Sequence, residues 1–262
     1  MSIITLITDF GLEDTYVGIM KGVILNINPH VQIVDLTHKI RPQSIKQASF
    51  LLKTAYSFFP KGTIHVAVVD PGVGSKRRPL LVKTPSYFFI APDNGVLELI
   101  YQTEPVEVFH LNNPKYFLPK ISFTFHGRDV FAPIAGYLSL GKRCEEMGKK
   151  IYDFQRLEWP LPKVKDYVLK GEVIYIDHFG NLISNISRQK FQEFVKNYGF
   201  SIKIKNVVLK TIASHYLAVP PKEILAIWGS SEHLEIAQSM GSAKETLKAN
   251  IGEKIEIKKE AK

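Results

Sequence analysis

Among 262 residues there are one cysteine, two tryptophans and four methionines. A single cysteine excludes an intrachain disulfide and any zinc site built from several thiolates, so Cys144 is expected to be a small core residue. No apolar run approaches the ~20 residues that span a bilayer. The stretch Met1-Ser2 followed by Ile3 to Thr8 has neither a basic n-region nor a small-residue cleavage site, so a cytoplasmic protein without a membrane partner is expected. The sequence has no His-Glu-x-x-His or comparable local ligand pair, and it predicts no metal.

What is present is a chain of 45% apolar composition, ample for one large domain or two modest ones, with a formal charge of +9. A nucleic-acid surface would need its cations clustered on one face and interleaved with aromatics. Here Lys76 to Arg78, Lys149-Lys150, Lys203 with Lys205 and the tail from Lys254 are separate, with acids among them. The charge therefore reads as a solvated lysine-rich surface or an attraction for an anionic small molecule, and no nucleic-acid partner is expected.

Short apolar runs alternate with helical patterns up to about residue 140. Ile3 to Thr8, Gln32 to Leu36 and Thr63 to Val69 read as strands, and Tyr16 to Ile27 and Ser44 to Phe58 as helices, the second capped by Ser44. Further strands are expected at Pro79 to Lys83, Tyr87 to Ala91 and Val106 to Leu111, with a short helix after Pro92-Asp93-Asn94-Gly95 and a longer one from about Gly127 to Leu140. This alternation predicts an α/β domain over 1–158 with a mostly parallel sheet covered by helices on both faces. After the proline-marked Trp159-Pro160-Leu161-Pro162-Lys163 the pattern becomes strand-rich, with one helix near Gln189 to Tyr198, which predicts a smaller β-rich, barrel-like domain over 159–262.

Ligands of open α/β sheets collect beyond the carboxyl ends of the strands. Asp9 follows the first strand and Asp70 the third, in "VAVVDPGVGSKRRPLLV" (66 to 82). Gly72 and Gly74 permit close approach and backbone dihedrals closed to other residues. This is no P-loop, because it lacks the Gly-Lys-Ser/Thr ending and places an acid where phosphates would sit. The residues alone leave two readings open, a tight turn with an exposed acid and a catalytic site. His126, in "TFHGRDVFAP" (124 to 133), precedes a predicted helix whose dipole would favour a neutral imidazole. Spacing does not connect it to Asp70. His38 and His65 read as core or hydrogen-bonded histidines, and His30, His110 and His233 as capping or surface ones.

Seven segments in order, "ITDFGLEDTYVG", "VDLTH", "VVDPGVGSKRR", "IAPDNGVL", "TFHGRDVFAP", "IDHFGNLISNI" and "GSSEHLEIA", resemble the S-adenosyl-L-methionine (SAM) hydroxide adenosyltransferases, or SAM hydrolases, relatives of the fluorinases and chlorinases. The resemblance implies hydrolysis of SAM to adenosine and L-methionine by water attacking the ribose C5', with SAM as substrate and no cofactor. It also implies a homotrimer with the ligand between one subunit's N-terminal domain and a neighbour's C-terminal domain. By motif position the hydrolytic trio falls on Asp70, Arg77 and His126, while Lys76 and Arg78 match no catalytic position. The resemblance places Asp9 at the ribose hydroxyls, Asp14 and Asp177 at the methionine amine, and Phe179 and Tyr216 against the adenine. It places Asn181 at the adenine edge, and Ser230 with Ser231 at the methionine carboxylate. Halogenating relatives have a Tyr-Pro stretch in place of Asp-Pro-Gly-Val-Gly, an inserted loop, and a serine where this chain has Gly127. Their absence here ranks hydrolysis above halogenation, with a SAM- or adenosine-binding sensor as a further alternative. Glu232 and His233 stand where a Gly-aromatic pair is usual.

Overall fold

The structure, a computed structural model, describes residues 2–260. The chain divides into two compact units at Glu158/Trp159.

The first unit holds seven strands: β1 (Ile3–Thr8), β2 (Gln32–Thr37), β3 (Ile64–Val68), β4 (Pro79–Lys83), β5 (Phe88–Pro92), β6 (Glu107–Leu111) and β7 (Gly148–Ile151). They form one sheet in the order β2-β1-β3-β5-β4-β6-β7. The first four neighbours pair in parallel and the rest antiparallel, so five of the seven strands run in one direction, with β4 and β7 reversed. Alternate side chains enter different cores. Leu6, Val66, Val68 and Ile90 pack with α1 (Tyr16–Ile27) and, further along the chain, residues 130–138, whereas Ile7, Ala67, Val69 and Phe89 pack with α2 (Ile45–Ala55) and Leu97 and Ile100. The period-2 pattern of a strand buried on both sides thus yields helices on both faces.

α2 starts at Ile45, and the Ser44 side chain makes no capping hydrogen bond, contrary to the sequence expectation. The long helix expected from Gly127 opens instead as a π-turn at Gly127–Phe131 and becomes regular α-helix only over Ala132–Ser139. Pro133, which lacks an N–H, falls where the wider π-turn gives way to regular α-helix. β7 was not foreseen because Gly148-Lys149-Lys150-Ile151 has no apolar period, and its exposed lysines suit an edge strand. Cys144 is a buried core residue, and burial pushes its thiol up to about 11. His65 is fully buried beside Phe89, with Nδ1 2.7 Å from Thr5 Oγ1, and burial lowers its pKa to about 3.

The second unit holds β8 (Lys163–Lys165), β9 (Val168–Ile176), β10 (Leu182–Ser187), β11 (Gly199–Ile204), β12 (Val207–Leu209), β13 (Ile212–Ala213), β14 (Ile224–Trp228), β15 (His233–Gln238) and β16 (Lys254–Glu260). They follow the path β12-β11-β16-β9-β10-β15-β14-β13, with β8 on β9, in a barrel-like arrangement. Val168 to Glu172 of β9 pair with β16 and Val173 to Ile176 with β10, so one long strand serves two parts of the sheet. Gly171 stands at that changeover, where a Cβ would lie 2.5 Å from Ile186. His233 is not a surface histidine: it begins β15, and its Nδ1 lies 2.9 Å from the Ser184 carbonyl oxygen. Among the described residues no helix is long and apolar enough to cross a membrane.

Candidate active site

The chain leaves β1 for β2 on one side and returns to β3 on the other, which opens a crevice beyond the carboxyl ends of β1 and β3. A cleft of about 290 Å³ lies there, lined by Asp9, Phe10, Gln43, Asp70, Thr124, Phe125, His126 and Gly127 among others. Asp9 and Asp70, from two strand ends, and His126, from a third segment, therefore face one space.

Arg77 joins them. Its Nε donates to Asp70 Oδ1 at 3.0 Å and its Nη2 to Oδ2, a two-pronged pair whose side chains are only 5% and 8% exposed. Nη2 also lies 2.7 Å from His126 Nδ1, 49 residues away in sequence. A guanidinium has no lone pair to offer, so Nδ1 must accept and the neutral ring carries its proton on Nε2. Burial, and then the neighbouring Arg77 charge, hold the His126 pKa below its ordinary value. The direction agrees with the sequence reading, but burial and a cation supply it. The Phe131 ring lies 5.4 Å from the guanidinium carbon, and the Arg77 Nη1 is buried without a hydrogen-bond partner among the described residues.

The glycines do separate work. Gly74 has a φ of +76°, and a Cβ on it would lie 2.2 Å from the Phe123 carbonyl oxygen, so only glycine lets this loop lie against the segment leading to His126. Gly72 has ordinary contacts. Arg78 is structural: it binds Asp93 and Asp153, and Asp93 in turn accepts from the Gln155 N–H. Lys76 is exposed.

Several contributors were not singled out in the sequence. Gln43 adopts a φ of +66° and donates its backbone N–H to Asp9 Oδ2 at 2.8 Å, which orients that carboxylate. No sequence signal marks a non-glycine residue for that conformation. Phe10, Tyr16 and Phe125 form a cluster of edge and tilted ring contacts 5.2 to 5.9 Å apart at the cleft. Buried Asp129 pairs with Arg128 and accepts from Ser122 N–H, fastening the strip before His126.

The remaining candidates are not brought to this cleft within the N-terminal unit. Asp14 sits exposed before α1. In the second unit Asp177 and Asn181 share one turn: Asp177 Oδ1 accepts from the Phe179 and Asn181 backbone N–H groups and Oδ2 from Asn181 Nδ2. The Asn181 amide has a second N–H and a carbonyl beyond the bond to Asp177. Phe179 is 73% exposed, not a core residue. Tyr216 donates to Glu235 at 3.2 Å, and burial followed by that carboxylate pushes its hydroxyl up to about 12. Ser230 and Ser231 lie in the turn closed by Glu232 N–H on the Gly229 carbonyl at 3.0 Å. Among the described residues no group of three or more His, Cys, Asp or Glu side chains is placed to hold a metal ion.

Residues 4–148 match the SAM hydroxide adenosyltransferase N-terminal domain, and residues 171–256 the SAM hydroxide adenosyltransferase C-terminal domain. The chain is 34% identical over 267 residues to an (R)-S-adenosyl-L-methionine hydrolase of Methanocaldococcus jannaschii, covering 98% of this chain and 96% of that protein. It is 33% identical to another of that name from Thermus thermophilus, covering 96% of this chain and 97% of that protein. A crystal structure of an uncharacterized conserved protein from Thermotoga maritima superposes with a TM-score of 0.90 at 35% identity, covering 98% of this chain and 100% of the other.

Proposed function

The chain belongs to the SAM hydroxide adenosyltransferase family, and from that premise we propose that it hydrolyses SAM to adenosine and L-methionine by in-line attack of water on the ribose C5'. The observation that carries this reading is the contact of Asp70, Arg77 and His126 in the same cleft as Asp9. Both named relatives are hydrolases of the (R) form by their names, and we take that sulfonium configuration as the substrate here.

The sulfonium departs as a neutral thioether, so the reaction needs no general acid, and the substrate's own leaving group makes a cofactor unnecessary. The enzyme has to aim a water. With Nδ1 committed to Arg77, His126 offers its Nε2–H to one lone pair of that water and leaves the other for C5'. The oxonium formed on attack is a strong acid. Its proton passes to the Asp70 carboxylate, whose oxygens keep lone pairs beyond those Arg77 uses, and then to solvent. Asp9 holds the ribose hydroxyls. The methionine amine goes to Asp14 and Asp177, and its carboxylate to Ser230 and Ser231. The adenine lies against Phe179 and Tyr216 with its edge on Asn181.

Incubation with each sulfonium epimer in water enriched in the heavy oxygen isotope, with and without chloride, tests the reading by mass spectrometry. Label in the adenosine 5'-hydroxyl, formed from the (R) form, is expected. 5'-Chloroadenosine would make the protein a halogenase, and binding without product would make it a sensor.

The same reading includes a homotrimer whose site takes its N-terminal residues from one subunit and its C-terminal residues from the next. Exposed Leu12, Tyr16 and Phe123, all in segments adjoining cleft residues, support such a contact. Mixing inactive Asp70→Ala protein with inactive Asn181→Ala protein should restore part of the activity. No recovery after demonstrated subunit exchange would rule out a shared site.

A further inference from the structure

Behind the Asp9 loop a line of polar groups runs from the surface into the core. Lys21 Nζ lies 2.6 Å from Asp35 Oδ2, and Asp35 Oδ1 lies 3.0 Å from His38 Nε2. His38 Nδ1 is 2.8 Å from Thr8 Oγ1, and that oxygen accepts from the Phe10 N–H at 3.2 Å. The His38 carbonyl accepts from the Gly11 N–H at 2.8 Å. Thr8 is fully buried and His38 is 3% exposed, whereas the outer pair is reachable by solvent.

The chemistry of the groups sets the direction of this chain. Partial burial works against the Asp35 charge, but the hydrogen bond from Lys21 and the adjacent His38 ring outweigh it and hold its pKa below the usual value. The ionised Asp35 oxygen 3.0 Å from Nε2 favours a proton there by its charge, although Nε2 is not aligned for a hydrogen bond to it, and this leaves Nδ1 bare. The Thr8 hydroxyl then donates to Nδ1, which turns its lone pairs toward the Phe10 N–H. Both peptide N–H groups that follow Asp9, those of Phe10 and Gly11, are thus tied to this one device.

We infer that Thr8, His38 and Asp35 are positioning residues for Asp9: they fix the backbone that carries it, as the Gln43 N–H fixes its carboxylate. The inference rests on the reading of Asp9 as the ribose ligand. It makes adenosine affinity depend on a hydroxyl and a surface carboxylate that touch no ligand.

The test compares Thr8→Val, which keeps shape and strand preference but removes the hydroxyl, with Thr8→Ser, which keeps the hydroxyl. Asp35→Ala at the solvent-reachable end keeps the test open should the valine variant fold poorly. Thr8→Val should weaken adenosine binding and raise the KM for SAM about tenfold, the worth of one ordered hydrogen bond, with the saturated single-turnover rate within about threefold of wild type. Thr8→Ser should restore most of the affinity. Asp35→Ala should lose about threefold, and the double variant Thr8→Val/Asp35→Ala should be no worse than Thr8→Val alone, because both cut the same chain. Unchanged adenosine affinity in folded Thr8→Val and Asp35→Ala proteins, fully additive losses, or a fall in chemical rate at unaltered affinity would overturn the inference. A wild-type protein that neither binds adenosine nor hydrolyses SAM would overturn the proposed function itself, and the inference with it.

Discussion

Replacing His126 with alanine is expected to lower the single-turnover rate of C5'–O bond formation by about 10²-fold or more, because a misplaced water loses the in-line geometry on which the reaction depends. Adenosine affinity should change little, since the ring is assigned to the water. The His126→Gln variant separates two roles. A glutamine amide places an N–H near the position of Nε2 yet cannot take a proton, so partial recovery relative to alanine is expected if His126 donates to the water. No recovery would count against the role of His126 as a donor to the water. Burial and Arg77 push the His126 pKa down, so protonation, which would cost Nδ1 its bond to Arg77, occurs only below the ordinary imidazole value of about 6.5. The wild-type rate should therefore be flat from neutral to mildly alkaline pH and fall on the acid side of that value, and the glutamine variant should lose this acid limb. Single-turnover rates across pH, beside titrations with adenosine, provide the measurement. A large loss of affinity at an unaltered chemical rate would turn His126 into a binding residue.

Arg77→Met is expected to cost both stability and activity. The Asp70–Arg77 pair is more than nine-tenths buried on each side, and removing one partner leaves an uncompensated charge, typically worth about 3–5 kcal/mol. Replacing both at once, as Asp70→Leu/Arg77→Met, removes the stranded charge and should recover much of that loss. Activity should stay absent in single and double variants alike, because His126 Nδ1 loses its donor and the cleft its carboxylate. Denaturant unfolding and hydrolysis assays of the three proteins check this. An Arg77→Met protein as stable as wild type would show that Asp70 finds water or another donor and that the pair is not a buried one. A double variant that hydrolysed SAM would remove both residues from the mechanism.

The strands and helices that carry the site were legible because their signals are local. An apolar run such as Ile64 to Val68, or Val17, Met20 and Ile24 on α1, declares its period within a few residues. Segments without such a period, Gly148–Ile151 and the wholly exposed Lys163–Lys165, were not legible, since pairing to a neighbour rather than their own composition makes them strands. The sequence by itself likewise determined that Asp9 and Asp70 end strands, and its ordered motifs determined the family. Only the tertiary structure decided that β3 lies beside β1, which turns two separate acids into one cleft. It also decided that the loop after β3 folds over Gly74, so that Arg77 meets Asp70 and His126 and forces the imidazole proton onto Nε2. The Gln43 and Thr8–His38–Asp35 supports of Asp9 belong to the same class. Such contacts join residues tens of positions apart, and they depend on strand order and register, which arise from packing the whole sheet and are written in no single stretch of the chain.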